Sequence, residues 1–144
     1  KELKKITNFT LKQIQTNHHK VCYGYRIIDK NIDITYIPDN QLHYTSDQIT
    51  TYENFIDFCK NTTFLIHDSQ YTKNDMPDKL NWGHSIFTDT VKLGSESNAK
   101  NTILFHHDPS RTTTDINTIL QYAKSSTTNI IAAKEGLEIN LLGK

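Results

Sequence analysis

Histidine and aspartate residues gather at positions in this 144-residue chain where the residue pattern changes, and these side chains could carry chemistry. His67-Asp68 ends one short apolar run, and His106-His107-Asp108 ends another. In open α/β sheets, ligands bind at the carboxyl ends of strands. Imidazole nitrogen and carboxylate oxygen are the ligands of catalytic zinc and related divalent metals. From the residues alone, two interpretations stay open: a metal site, or side chains that cap strand ends and hydrogen-bond to backbone.

Further histidines and aspartates occupy similar junctions. They are His18 and His19 before a predicted strand, Asp39 after one, and His84 at the start of a predicted helix. Parallel strands that end together could aim these groups into one crevice.

Residue patterning predicts three strands in the first part of the chain. Alternation and β-branched or aromatic content predict strands over residues 9–16, 21–29 and 32–37, with a tight turn at 29–31. Pro38 has no N–H to donate and is expected to end the third strand.

Helices and buried strands are expected to alternate after that point. Residues 45–48 resemble a capping box for a first helix, and Ser85 is expected to cap a second. Short apolar runs at 63–66 and 102–105 are typical of buried strands in a mixed or parallel sheet, and a last strand is predicted at 137–141. The apolar positions at helical spacing are Ile49, Tyr52, Ile56 and Cys59, then Phe87, Val91 and Gly94, then Ile116, Ile119, Leu120 and Ala123. The order βββαβαβαβ predicts an α/β fold.

Composition limits the classes of function. The 16 basic and 16 acidic residues cancel, so no global charge attracts nucleic acid or an anionic membrane. The apolar fraction of 35% allows one domain with a thin core. Apolar runs of a few residues predict no membrane span. Cys22 and Cys59 form no C-x-x-C pair and fit a reducing, cytoplasmic setting.

Taken in order, short segments of the chain resemble successive motifs of the metallo-β-lactamase superfamily, in its phosphodiesterase and transfer-RNA 3′-endonuclease branch. The segments are 17–26 (NHHKVCYGYR), 34–40 (ITYIPDN), 65–71 (LIHDSQY), 81–85 (NWGHS) and 104–110 (LFHHDPS). The resemblance extends from about residue 9 to 141, and the ordered set of motifs carries it. The H-x-H-x-D-H motif, which lies well upstream in that family, is absent.

The resemblance therefore implies that residues 1–144 are the C-terminal portion of such a domain. The expected fold is α/β, half of an αββα sandwich with a mixed sheet and flanking helices. The chain begins with Lys1, so the true N-terminus is expected to be missing or processed.

The same resemblance implies a role for each candidate residue. His18 and His106 would each bind one of two divalent metal ions, and Asp39 would bridge them. His84 would be the catalytic histidine, held by Asp68. Zinc is the expected metal, with manganese or iron as alternatives. A surface or capping role is the alternative interpretation for each of these residues.

Neighbouring residues are interpreted differently. His19 is expected at the surface, and His107 near the entry to a helix, although whether His107 is also a ligand stays open. Asn40 stands where the motif usually has Thr. Tyr71 and Trp82 flank this region and are interpreted as packing residues, with a pocket-lining role as the alternative.

The resemblance implies a metal-dependent hydrolase of phosphodiesters, either small molecules or nucleotides. Transfer RNA is disfavoured, because Asp68 follows His67 where the endonucleases usually have Glu. A non-catalytic fragment and a nucleotide-binding sensor or scaffold module are the alternatives. The expected partners are the N-terminal half of the domain and, through surface that this half would cover, a second copy of the chain; no membrane partner is expected.

Overall fold

A single mixed sheet organises the chain, as seen in a computed structural model that describes residues 8–43, 48–76, 78–126 and 129–140. Its strands are hydrogen-bonded in sequence order. They are β1 Thr10–Gln15, β2 Tyr23–Ile28, β3 Asp33–Ile37, β4 Phe64–Asp68, β5 Thr102–Phe105 and β6 Ile130–Ala132. The first three strands pair antiparallel, and β3 to β6 pair parallel. The mixed sheet expected from the sequence is thus confirmed.

Three α-helices follow the expected order, but two of them begin differently than expected. The helices are α1 Tyr52–Cys59, α2 Phe87–Glu96 and α3 Thr113–Lys124. Thr51 caps α1 by accepting a hydrogen bond from the Asn54 amide. Ile49 therefore precedes the helix, and the capping box expected at 45–48 lies largely outside the described residues.

Ser85 does not cap α2, contrary to expectation. The N-cap position is Ile86, which has no side chain that can accept a hydrogen bond. The Ser85 hydroxyl instead donates to the Asn40 carbonyl at 2.6 Å and accepts from the Leu42 amide at 3.1 Å. Ser85 therefore joins two loops and does not start a helix.

The predicted last strand is also wrong. Residues 137–140 are not a strand, and position 141 lies outside the described residues. The sixth strand is Ile130–Ala132, which pairs with β5 directly after α3. Ile130 and Ile131 are β-branched and follow α3 after a short connection, so they can reach the edge of the sheet directly. This short connection favours a strand there more than the alternation of apolar residues favours one at 137–141.

All three helices cover one face of the sheet. Ile37 and Leu65 pack with Phe55 and Cys59 of α1 in one buried cluster. A second cluster joins Leu104 to the apolar residues of α2 and α3, namely Phe87, Val91, Ile119 and Ala123. Gly24 lies on this side, where an added Cβ would stand 2.7 Å from Ile37 Cγ1. A larger residue at position 24 would therefore clash with Ile37.

The opposite face of the sheet carries apolar side chains that none of the described helices covers. Strand register aligns Leu11 with Ile27, Ile27 with Ile34, and Ile34 with Phe64. Tyr25, Tyr36 and Ile66 form the adjoining row. We call Leu11, Tyr25, Ile27, Ile34, Tyr36, Phe64, Ile66 and Phe105 the open face. Leu11 is 55% exposed and Ile27 is 38% exposed, and a cavity of about 370 Å³ opens beside Phe64 and Phe105.

The packing of Cys59 leads to a prediction about thiol reactivity. Cys59 is fully buried, and burial raises the pKa of its thiol to about 12. The thiol of Cys22 also has a raised pKa because of partial burial, but it is accessible. Because the thiolate is the nucleophile, Ellman's reagent at about pH 8 should modify Cys22 in the folded chain and leave Cys59 intact.

Denaturant should then release the second thiol. The control is Cys22→Ser, which should give no reaction until the chain unfolds. Rapid modification of Cys59 in folded Cys22→Ser would show that α1 does not pack as described.

None of the described helices has the length and apolarity that a membrane span needs.

Candidate metal centre

Sheet topology brings the candidate residues to one edge. Strands β1 and β3 both run antiparallel to β2, so they point in the same direction as each other and as β4 and β5. The carboxyl ends of these four strands therefore share one edge. His18, Asp39 and His106 come shortly after three of those ends, and Asp68 ends β4. His84 reaches the same edge from the loop that precedes α2.

At that edge, the ligand atoms of a histidine–aspartate group lie close together. One ligand atom each from His18, Asp39 and His84 all lie within 4.8 Å of one another. His106 Nε2 is 3.1 Å from Asp39 Oδ1, and the rings of His84 and His106 have centroids 4.7 Å apart. All four candidates thus occupy one partly buried cluster.

Asp68 organises the loops behind this cluster. Its fully buried carboxylate accepts four hydrogen bonds, from His84 Nδ1 at 2.6 Å and from the backbone amides of Asn40, Gln70 and Ser85. Asp68 therefore orients His84 and also satisfies loop amides, so the two interpretations given for it are compatible. Because Nδ1 of His84 is engaged, Nε2 is the ring nitrogen left for other partners.

His18 is held by close packing and favours its neutral form. Gly83 has φ of +93°, and a Cβ there would lie 2.4 Å from His18 Cδ2. Gly83 thus provides both the left-handed backbone and the space for this ring. Burial, followed by the nearby His19 and His84, lowers the pKa of His18. Neutral imidazole is the form that binds metals.

His106 has an uncommon backbone conformation. Its φ is +58°, in the left-handed region that non-glycine residues seldom adopt. Such residues persist when the surrounding structure holds them, and they concentrate at functional sites. The next residue, His107, has a different environment, since its Nε2 contacts the Ala133 carbonyl at 3.2 Å. His107 thus bonds to the chain after β6, and the described cluster does not include it.

The flanking residues have distinct environments. His19 is exposed, with its ring 4.0 Å from that of His18. Tyr71 is buried, and its ring meets that of His84 edge-on at 5.9 Å. Trp82 is 54% exposed and has Lys79 Nζ 3.8 Å from its ring centroid. Tyr71 therefore packs at the site as interpreted, whereas Trp82 lies at the surface.

Sequence reasoning missed two residues behind the cluster, Asn17 and Asn40. Both are buried, and the Asn17 amide donates to Asn40 Oδ1 at 2.9 Å. The one available signal was that Asn40 departs from the usual Thr of the motif. No local pattern marks a buried amide that joins loops distant in sequence.

Comparison with known proteins shows the fold. No family model and no curated protein matches the chain. The solved structure of YhfI from Bacillus subtilis, a metallo-β-lactamase-fold protein, matches with a TM-score of 0.72 and 23% identity over 90% of this chain and 47% of YhfI. The short form of human tRNase Z matches with a TM-score of 0.68 and 17% identity over 96% of this chain and 46% of that protein. A diphosphatase of the PhnP family matches with a TM-score of 0.63 and 16% identity over 92% of this chain and 43% of that protein.

The described structure therefore has a partial metallo-β-lactamase fold. The chain spans about half the length of the solved structures that it matches. The α/β fold class expected from the motif resemblance is confirmed.

Proposed function

We propose that this chain is part of a metal-dependent hydrolase that acts on phosphodiesters. The observation that carries the proposal is the placement of Asp39 at the carboxyl edge of the sheet, with His106 Nε2 3.1 Å from its Oδ1 and ligand atoms of His18 and His84 within 4.8 Å. Nitrogen and carboxylate oxygen donors at this spacing fit a catalytic divalent ion. The alternative of a strand-capping cluster explains the bonds of Asp68 but gives no reason for the grouping of the other side chains.

The donor set divides naturally between two ions. His18 would hold one ion, His106 the other, and Asp39 both, because its two carboxylate oxygens can serve separate metals. Asp39 Oδ1 already lies 3.1 Å from His106 Nε2, and the lowered pKa of His18 favours its neutral, metal-binding form. Zinc suits these ligands, and manganese or iron are alternatives. When bound, such ions supply Lewis acidity and make water a nucleophile near neutral pH.

His84 and Asp68 would act on the substrate side. Asp68 accepts from Nδ1 of His84 at 2.6 Å, so Nε2 can donate a hydrogen bond or a proton to oxygen. The buried carboxylate behind the ring fixes its orientation, so that Nε2 faces the cluster side. His84 would therefore stabilise negative charge that develops on the phosphate or protonate the leaving oxygen.

A phosphodiester is the proposed substrate class for two reasons. The motifs resemble the phosphodiesterase branch of the superfamily, and the matched structures include a tRNase Z and a diphosphatase. Charge balance across the chain gives no added attraction for a long nucleic acid, so a small or nucleotide-sized phosphodiester is favoured.

We also propose that the chain is the C-terminal portion of a larger domain, in which a second layer covers the open face. Two observations support this proposal. The solved structures are about twice as long as the part matched, and the open face exposes apolar side chains across neighbouring strands. The absent layer would supply further metal ligands, so this chain alone should bind metal weakly.

Calorimetric titration of the metal-free chain with Zn²⁺ tests the site. We expect weak binding that dialysis against chelator removes, and Asp39→Asn should weaken it further by at least about tenfold. The matched control is His43→Gln, which changes an exposed histidine outside the cluster. Equal affinity in the two variants would refute the site. Two ions retained after chelator dialysis would contradict weak binding by this chain.

A second measurement distinguishes a catalytic role of His84 from a role as metal ligand. Hydrolysis of bis(p-nitrophenyl) phosphate, measured with the protein that includes the second layer, should fall in His84→Gln while Zn²⁺ affinity is kept. Loss of Zn²⁺ affinity in that variant would make His84 a ligand. Metal binding without any turnover would favour the sensor or scaffold alternative.

A further inference from the structure

Asn40 is fully buried and bonds to loops that approach the site from different parts of the chain. Its side-chain Oδ1 accepts from the Asn17 amide at 2.9 Å. Its backbone N–H donates to Asp68 Oδ2 at 3.1 Å. Its carbonyl accepts from the Ser85 hydroxyl at 2.6 Å.

Two of these partners, Asn17 and Ser85, are next in sequence to residues of the candidate centre, and the third, Asp68, is hydrogen-bonded to His84. Asn17 precedes His18, Ser85 follows His84, and Asn40 itself follows Asp39. One buried residue thus connects the backbone positions of three candidate site residues.

Asn17 is itself firmly anchored. Its Oδ1 accepts from the Ile49 and Thr50 amides at 3.0 and 2.9 Å, and its Nδ2 donates to the Thr50 carbonyl at 2.8 Å. The bond from Asn17 to Asn40 therefore starts from a fixed point, because buried amides with satisfied partners are costly to move.

On the other side, Asn40 meets the fully buried ring of His67. His67 Nδ1 lies 2.7 Å from the Asp68 carbonyl, which can only accept, so Nδ1 carries the proton. His67 Nε2 is then an acceptor, and Asn40 Nδ2 lies 3.2 Å from it. These contacts agree with one orientation of the Asn40 amide and one tautomer of His67.

We propose that Asn40 is a positioning residue for the candidate centre. Its amide holds His67 in the Nδ1–H form and fixes the loops that carry His18, Asp39 and His84 relative to one another. A threonine at this position has a single side-chain oxygen and cannot both accept from Asn17 and donate to His67 with separate atoms. The assignment of the Nδ1–H tautomer to His67 does not depend on metal binding. The expected effect of Asn40 on metal affinity rests on the proposed function.

Long-range ¹H–¹⁵N correlation spectra of the histidine rings test the proposal in the metal-free chain. The wild-type His67 ring should be neutral with its proton on Nδ1, and an Nε2–H ring would overturn the proposal even if no variant folds. Asn40→Asp replaces the donor Nδ2 with an acceptor oxygen, and Asn40→Thr shortens the side chain. Both should change the His67 signals, and the control Asn117→Asp on the exposed side of α3 should not.

Titration with Zn²⁺ provides the second measurement. Asn40→Thr should lower the affinity by about tenfold or more, as loss of a residue that orients metal ligands does, and Asn117→Asp should keep the wild-type value. A folded Asn40→Thr chain with unchanged His67 signals and unchanged affinity would overturn the proposal. If the wild type binds no Zn²⁺ but His67 carries its proton on Nδ1, the proposed function fails. A changed His67 signal in Asn40→Asp would then still support the role of Asn40 in fixing that tautomer.

Discussion

Asp68→Asn is expected to lower the free energy of unfolding by about 2–6 kcal/mol, because two buried donors lose their acceptor and each unsatisfied group costs roughly 1–3 kcal/mol. The substitution keeps the shape of the side chain but replaces one oxygen with an NH₂ group. Oδ2 accepts from His84 Nδ1 and from the Asn40 amide, and Oδ1 accepts from the amides of Gln70 and Ser85. In either orientation the new NH₂ group faces donors, so buried N–H groups lose their acceptor.

Denaturant unfolding followed by circular dichroism measures this effect. The matched control is Asp57→Asn, which removes an exposed carboxylate from α1 and should change the free energy by less than about 0.5 kcal/mol. Equal stability of the two variants would mean that Asp68 does not join the loops as the hydrogen bonds indicate.

Ile66→Lys is expected to abolish self-association of the isolated chain. Ile66 lies in the open face, between Tyr36 and Ile103 in the strand register. Apolar surface of this kind favours association when its cover is absent. A lysine there would place an unpaired charge in the contact, which should reduce the association constant by at least about a hundredfold.

Sedimentation velocity over a concentration series provides the measurement. Wild type should sediment faster as its concentration rises, whereas Ile66→Lys should remain a monomer. Tyr122→Lys, which changes an exposed side chain on α3, should behave like wild type. A wild-type monomer at all concentrations with a cooperative thermal transition would contradict the proposal that a second layer is missing.

Much of the site could be predicted because its residues follow strand ends. Period-two alternation and short apolar runs located β3, β4 and β5 within a few residues, and these patterns report on local burial. Once the strands were placed, parallel topology required Asp39, Asp68 and His106 to share an edge. The order of strands and helices was therefore enough to predict this shared edge, and no side-chain contact had to be known.

Helix starts and the last strand could not be predicted as well. Residues 45–48 were expected to cap α1, but Thr51 is the N-cap, and α1 packs on the sheet through Phe55 and Cys59. Ile130–Ala132 became β6 because the chain leaving α3 meets the edge of β5 there. Competing local signals of similar strength are resolved by tertiary contacts.

The sequence by itself determined which chemistry is available: neutral overall charge, an α/β order of elements, and imidazole and carboxylate groups at strand ends. Tertiary structure alone decided that ligand atoms of His18 and His84 lie within 4.8 Å of each other. It also decided that the Asp68 carboxylate bonds to separate loops. It also made Asn40 a central residue of the site. The physical reason is that periodicity is a local property of a chain, whereas buried hydrogen bonds depend on distances between segments that only the folded sheet brings together.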